Sequence, residues 1–382
     1  MKAPIYLDYA ATTPVDPAVA KAMMGCLTMD GIFANPASRS HIYGWQAEEQ
    51  VELARRNVAD LLVCDAREVV WTSGATESNN LALKGIFEAA QFQGHLVTSV
   101  IEHKAVIDPA KWLESKGVEV SWLEPNADGI ITLEQVQAVL REDTRLVSLM
   151  HVNNEVGSIN PIAEIGELCQ SRDIIFHVDA AQSAGKLALD VAALNIDLLS
   201  LSAHKFYGPK GVGALYVRRA VQRQVNAIIH GGGHERGMRS GTLPTHQLVG
   251  LGEAAKLAAS SLEEEGLRTA ALRDKLWNGI AHLPNVKRNG SIEQVSPIHL
   301  NVCFGGVDGE ALQLSLRELA VSSGSACTSA SVEPSYVLKA MGMNDADANG
   351  SIRLSLGRFT SPEEVEKATE HICQVVQQLQ AA

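Results

Sequence analysis

The residues of this chain best placed to do chemistry are a lysine, an aspartate and a histidine, each at the end of an apolar run. Lys205 stands in the polar turn LSAHKFYGPKG, directly after the run 196–201. A lysine at the mouth of a buried strand loses solvation, which lowers its pKa and makes it a candidate Schiff-base amine. A second apolar run, 174–178, ends in Asp179-Ala180-Ala181-Gln182, so an acid and an amide emerge beside it. Upstream, Thr72-Ser73-Gly74-Ala75-Thr76 leads a strand into a helix N-terminus through a glycine turn. Free N–H groups there, with the Thr76 hydroxyl, favour an anion such as phosphate. A helix end alone contributes only about 0.3–1 kcal/mol, so Ser202 and His204, flanking the strand end before Lys205, are expected to converge on the same anion. Lysine, acid and phosphate cradle are what pyridoxal phosphate (PLP) requires of a protein.

His103 follows the run 96–101 and could stack on an aromatic ring and move protons near neutral pH. Asp179 would keep a pyridine nitrogen protonated, making the ring an electron sink. Gln182 and Asn154 would bond the ring hydroxyl or restrain the ring. Singly, each has a plain structural reading as a cap, a satisfied histidine or an ion-pair partner; the shared sheet edge is what argues for a site. GPKGVG lacks the G-x-x-x-x-G-K-[ST] order of a phosphate loop and reads as a tight turn into a strand. HGGGHERGMRSGT contains no H-E-x-x-H, so zinc is not expected. Its glycines and Thr242 suit a backbone that comes close to a ligand.

Cys327 lies in VSSGSACTSASVEPSYVLKAMG, among residues with no large side chain to bury it. This composition predicts a flexible loop, with Pro334 opening the helix that follows. A thiol of pKa about 8.5 is only about a few per cent thiolate at pH 7, yet remains a strong nucleophile. Exposed thiols oxidise, so the placement suggests a use. The other cysteines, at positions 26, 64, 169, 303 and 373, lie within or beside apolar patterns and show neither C-x-x-C nor paired metal spacing.

The elements that must position these groups alternate. Helical periodicity covers 46–62, and short apolar runs read as strands at 69–72, 96–101, 146–152, 174–178, 196–201 and 213–217. Helical segments such as 162–171 fall between them, which implies a mostly parallel sheet covered by helices, with ligands at the carboxyl ends of its strands. From about Thr245 a long helix-rich stretch links this region to a smaller α+β part, with strands at 298–304 and 352–356, a helix at 309–319 and a last helix from Pro362.

The 382 residues suit two domains, and 46% hydrophobic with 20% charged residues is ordinary for a globular enzyme. A net charge of −12 argues against direct nucleic-acid binding; Arg218, Arg219 and Arg223 read as the solvated surface of a βα unit. The start MKAPIYLDYAATTPV has no leader-like apolar core, and no run reaches the length of a membrane span. Scattered free thiols fit a cytoplasmic chain. On residues alone, a PLP transaminase or lyase that uses no cysteine stays open, as does a non-catalytic binding protein for sulfur carriers or clusters.

The segments YLDYAATTPVDP, NPASRSH, TSGATESNNLALKG, EHKAV, HVNNEVG, HVDAAQS, SAHKFYGPKGVGALYVRR, HGGGHERGMRSGTLP, SSGSACTSAS and SIRLSLGRFT together resemble the cysteine desulfurases, a PLP family of the class-V aminotransferase group. SSGSACTSAS resembles the long-loop members that serve iron–sulfur assembly, closer to the housekeeping than to the nitrogenase-dedicated ones. The resemblance implies an aspartate-aminotransferase-like architecture, fold type I: a large domain, 15–258, with a mainly parallel seven-stranded sheet, and a smaller α+β domain of 1–14 and 259–382 carrying the Cys327 loop at about 321–333. It implies that Lys205 joins PLP, that His103 stacks on the ring, and that Asp179 faces the pyridine nitrogen. Gln182 and Asn154 lie near the ring hydroxyl. Ala75, Thr76, Ser202 and His204 bind the phosphate, with Thr242 contributed across a homodimer interface. Arg353 would pair with the carboxylate of L-cysteine through its guanidinium fork, with Asn35 as a second contact. Cys327 would take up sulfur as a persulfide and pass it to acceptor proteins, among them an iron–sulfur scaffold, and is a candidate transient cluster ligand. Members commonly extend past the final helix in a tail that docks the scaffold. This sequence ends at Ala382, so docking through that tail is the one implied contact not expected to carry over.

Overall fold

The computed structural model describes residues 3–323 and 333–381. Seven strands form the main sheet: β1 (Val69–Thr72), β2 (His95–Ser99), β3 (Glu119–Leu123), β4 (Thr144–Met150), β5 (Ile175–Asp179), β6 (Leu198–Ser202) and β7 (Gly213–Val217). Their spatial order is β1-β7-β6-β5-β4-β2-β3. All neighbours run parallel except β7, which is antiparallel to both β1 and β6. The other six therefore end at one edge. Every residue of β1, β2, β5, β6 and β7 is buried, as expected of a sheet covered on both faces, whose strands read as continuous apolar runs.

Most strands expected from the sequence are present, displaced by a residue or two. In this sheet the one missed is β3, at its edge, where only Leu123 is buried. An edge strand with one neighbour needs no apolar run, so EVSWL carries little signal.

The covering helices include α1 (Ile42–Leu62), α2 (Ala75–Ala89), α3 (Lys104–Glu114) and α4 (Ile162–Ser171). Ala47, Val51, Ala54, Val58 and Leu62 of α1 are buried at three- and four-residue spacing, the stripe of an amphipathic helix. His41 caps it by accepting from Gly44 N–H, so it begins four residues before the expected start at 46.

α5 (Thr245–Ile280) is a single helix of 36 residues. Leu248, Leu251, Ala255 and Ala258 pack into the core on one face of the main sheet, whereas Leu272, Leu276 and Ile280 pack into a second core. That second core sits on an antiparallel sheet of β8 (Val286–Asn289), β9 (His299–Phe304), β10 (Ser322–Ser323) and β11 (Ser351–Ser355), ordered β10-β11-β9-β8. The terminal helix α6 (Pro362–Gln380) covers it, with a capping box between Ser361 and Glu364. The N-terminal residues join the same core: Leu7 is buried in it, and Ile5–Tyr6 pairs in parallel with Leu319–Ala320.

Two expectations are corrected here. The helix expected at 309–319 stops at Ser315, because Leu319 and Ala320 are taken up as a strand against Ile5–Tyr6. The helix after the cysteine segment begins at Tyr336, with Ser335 rather than Pro334 at its start. The Ser335 hydroxyl accepts from Leu338 N–H at 3.1 Å, an acceptor that proline lacks.

Candidate active site

A cavity of about 420 Å³ opens at the carboxyl edge of the main sheet. β1 leads into Ser73-Gly74-Ala75-Thr76; β2 is followed by His103; β4 ends at Met150, with Val152 and Asn154 beyond it. β5 ends at Asp179, followed by Ala181 and Gln182, and β6 ends at Ser202, followed by His204 and Lys205. Arg353, from β11 of the second sheet, also lines the cavity. The site is thus shared by both cores.

At one end, Gly74 occupies the N-cap of α2 and offers no side chain to its first turn. Its φ of 148° strains any L-residue, and a Cβ there would lie 3.4 Å from Ser202 Oγ. The N–H groups of Ala75 and Thr76 are left uncapped, as an anion site needs. His204 shares a hydrogen bond with Thr12 Oγ1 at 3.1 Å. Burial, then the cations Lys205, Lys210 and Lys186, push its pKa down to about 4, so the ring is neutral at pH 7.

Lys205 Nζ donates to Ala10 O at 2.7 Å and Ala11 O at 2.9 Å. Gln182 Nε2 also donates to Ala10 O, at 2.9 Å. Asp179 is buried and accepts twice, from Asn79 Nδ2 at 2.7 Å and from Ala181 N–H at 2.9 Å.

His103 caps α3 by accepting from Ala105 N–H at Nδ1, 3.0 Å away. Burial pushes its pKa below the ordinary value; Asp179 opposes that shift and Lys205 adds to it. The neutral ring therefore carries its proton on Nε2, and at that atom it is a hydrogen-bond donor.

Arg353 donates from Nη1 to Asn154 O and from Nη2 to Asp8 Oδ1, both at 2.8 Å. Among the described residues, Arg353 Nε and Asn154 Oδ1 are buried without a partner. Buried polar groups are normally satisfied, so these and the likewise unpartnered Asn79 Oδ1, three orphans on residues of one cavity, point to a polar occupant. An uncapped helix start, an amine, a buried acid and these orphans fit a flat phosphorylated ring such as PLP.

Ten expected positions line this cavity: Ala75, Thr76, His103, Asn154, Asp179, Gln182, Ser202, His204, Lys205 and Arg353. Asn35 and Thr242 do not. Asn35 is exposed, closes a local turn by accepting from Ala37 N–H at 2.9 Å, and borders a separate cavity with Gly233 and Glu235. Its expected contact with substrate is therefore not made within one chain. Thr242 is exposed as well. Both expectations for Cys327, nucleophile and transient cluster ligand, concern a position outside the described residues.

Sequence reasoning gave no role to Asn79, which fixes Asp179, or to Ala10 and Ala11, which hold Lys205. Asn79 lies four residues before Leu83 on the buried face of α2, and a polar residue on such a stripe was a usable signal. Ala10 and Ala11 act through main-chain carbonyls, which no side chain announces. Lys210 and Gly211, read only as turn residues, also line the cavity.

Residues 5–368 match the model of the family described as aminotransferase class-V. The chain is 61% identical over 381 residues to cysteine desulfurase IscS of Shewanella baltica (strain OS223), covering 99% of this chain and 94% of that protein. Among solved structures, a NifS-like protein has a TM-score of 0.91 at 36% identity, covering 98% of this chain and 100% of that one. A second structure, of SspA in complex with cysteine, has a TM-score of 0.83 at 42% identity, covering 94% and 100% respectively. With the site's geometry, these matches establish that the chain belongs to the class-V aminotransferases and, within them, to the cysteine desulfurases.

Proposed function

We propose that the cavity binds L-cysteine beside PLP and that Cys327 takes up its sulfur. The enzyme is a PLP-dependent cysteine desulfurase: cysteine and an enzyme thiol become alanine and an enzyme persulfide, with no outside oxidant or reductant. PLP supplies the electron sink that eases loss of the substrate's Cα proton. Lys205 holds the cofactor and moves that proton, and the carbonyls of Ala10 and Ala11 keep its Nζ in place. Asp179, itself fixed by Asn79, would face the pyridine nitrogen. Gln182 and Asn154 would restrain the ring near its hydroxyl. The α2 start, with Ser202 and His204, would bind the phosphate as a set of neutral donors. His103 would stack on the ring and offer its Nε2–H to developing charge. Arg353 orients the substrate carboxylate.

One observation carries the role of Cys327. Ser322 pairs with Arg353 and Ser323 with Ile352, so the chain leaves the described residues beside the cavity's arginine. Ser323 stands four residues before Cys327 in the sequence. The test is alanine production from L-cysteine, with persulfide trapping, on wild type and Cys327→Ser. Both activities should vanish in the variant while PLP absorbance persists; retained alanine production would identify a lyase that needs no cysteine.

The persulfide passes to thiols of acceptor proteins, an iron–sulfur scaffold among them. The chain works in the cytoplasm, where Cys26, Cys64, Cys169, Cys303 and Cys373, all free, suit a reducing compartment. Residues 15–258 form one domain and 1–14 with 259–382 the other, a division supported by the passage of α5 between two cores.

A further inference from the structure

Ser335 and Tyr336 are the third and fourth described residues after the gap that contains Cys327, and each makes a hydrogen bond its own short helix does not require. Ser335 is buried. As N-cap its oxygen accepts from Leu338 N–H, which needs only a lone pair. Its single hydroxyl proton goes elsewhere, to Glu155 Oε2. Glu155 is buried too, and its backbone is held by two further contacts. Its N–H donates to Asn153 Oδ1 at 2.9 Å, and its carbonyl accepts from Asn301 Nδ2 at 3.1 Å. The carboxyl group is therefore held as an acceptor in a place where an ionisable group is costly to bury.

The next residue repeats the pattern on a different turn. The Tyr336 hydroxyl donates to Glu102 O at 2.7 Å, and the Lys104 ammonium lies 4.6 Å over its ring. Glu102 directly precedes His103, and Glu155 directly follows Asn154. Two consecutive residues thus tie to the immediate neighbours of two residues that line the cavity. Asn154 is in turn bonded through its carbonyl to Arg353, which pairs with Ser322 on the other side of the gap.

We propose that Glu155, Ser335 and Tyr336 are positioning residues, which set the chain after Cys327 in register with His103 and Asn154. This deepens the desulfurase reading and rests on it. None of the three needs to touch substrate; they act through where the nucleophile's chain is rooted.

The informative variants are Glu155→Ala, which removes the acceptor but leaves the Ser335 cap, and Tyr336→Phe, which removes one hydroxyl and keeps the ring. Glu155→Gln retains an oxygen for Ser335 and serves as the rescue. In the PLP-loaded protein, kcat for alanine formation should fall about 10- to 100-fold in the first two variants, with KM for L-cysteine within about 2-fold of wild type and Glu155→Gln restored to within about 3-fold. The cysteine-induced change in PLP absorbance should keep its wild-type amplitude, because it precedes any need for the thiol. Adding Cys327→Ser to either variant should cause no loss beyond that of Cys327→Ser alone.

An unchanged kcat in both variants overturns the proposal. So does a loss of PLP absorbance or a raised KM that matches the fall in kcat, since either marks general damage to the cavity wall. Should Glu155→Ala fail to fold, Tyr336→Phe decides alone. Alanine production that survives Cys327→Ser is a different failure: it sinks the desulfurase reading itself, whatever the positioning variants do.

Discussion

Glu102 is fully buried and accepts from Ser99 Oγ at 2.8 Å and Met150 N–H at 3.0 Å through one oxygen, while the other has no partner. Burial, against those two bonds, pushes its pKa up to about 8. A raised carboxyl pKa means that the folded chain keeps a proton which the unfolded chain releases near pH 4.5. Its contribution to stability is full below that ordinary value and is lost as pH rises through about 8, at up to about 1.4 kcal/mol per pH unit. Glu102→Gln removes this proton from the balance. Urea midpoints of PLP-loaded wild type and variant should therefore diverge in the variant's favour between about pH 6 and pH 8; parallel curves would show that Glu102 is ionised in the fold. Much of the site at this scale was legible, because Lys205, Asp179, His103 and Ser202 are polar residues stranded at the ends of apolar runs. What escaped were partners that act through the main chain, Ala10 and Ala11, and acids such as Glu102 and Glu155 that sit one residue from a cavity-lining neighbour. Nothing in residue type distinguishes those acids from surface glutamates.

Elements were legible in proportion to their burial. β1 and β7 were found with their bounds intact because both are buried throughout, and the pattern of a covered parallel sheet is continuous. α5 was legible as one long helix, and its two apolar stretches face different cores. β3 was not, since an edge strand half open to solvent has no periodicity that its composition must honour. The start of the helix at Tyr336 was misread for a local reason: Pro334 fits a first turn, but Ser335 both caps it and reaches Glu155. That second bond joins elements 180 residues apart, which no local window contains.

At the scale of the molecule, exposed apolar side chains concentrate in residues 24–53. Met24, Leu27, Met29, Phe33, Ile42, Tyr43, Trp45 and Leu53 are all exposed, eight of the fourteen exposed large hydrophobic side chains among the described residues. Exposed apolar side chains gathered in this way suit an interface with another chain. Asn35 lies within the same stretch, and its cavity is shared with the glycine-rich segment that leads to Thr242. A homodimer built through these residues is the arrangement we propose for bringing Thr242, and with it Asn35, to the partner's site. Sedimentation of PLP-loaded wild type should give a dimer, and Trp45→Glu with Phe33→Glu should shift it toward monomer with loss of PLP affinity; a monomeric, fully active wild type would remove the role given to Thr242.

Every role assigned in the cavity where both cores meet depends on PLP being held at Lys205. Borohydride reduction of the PLP-loaded protein, followed by peptide mapping, reads this out. A single pyridoxyl-bearing peptide containing SAHKFYGPK is expected, with the group on Lys205. A label on Lys210 or Lys186, or no stable label at all, would contradict it.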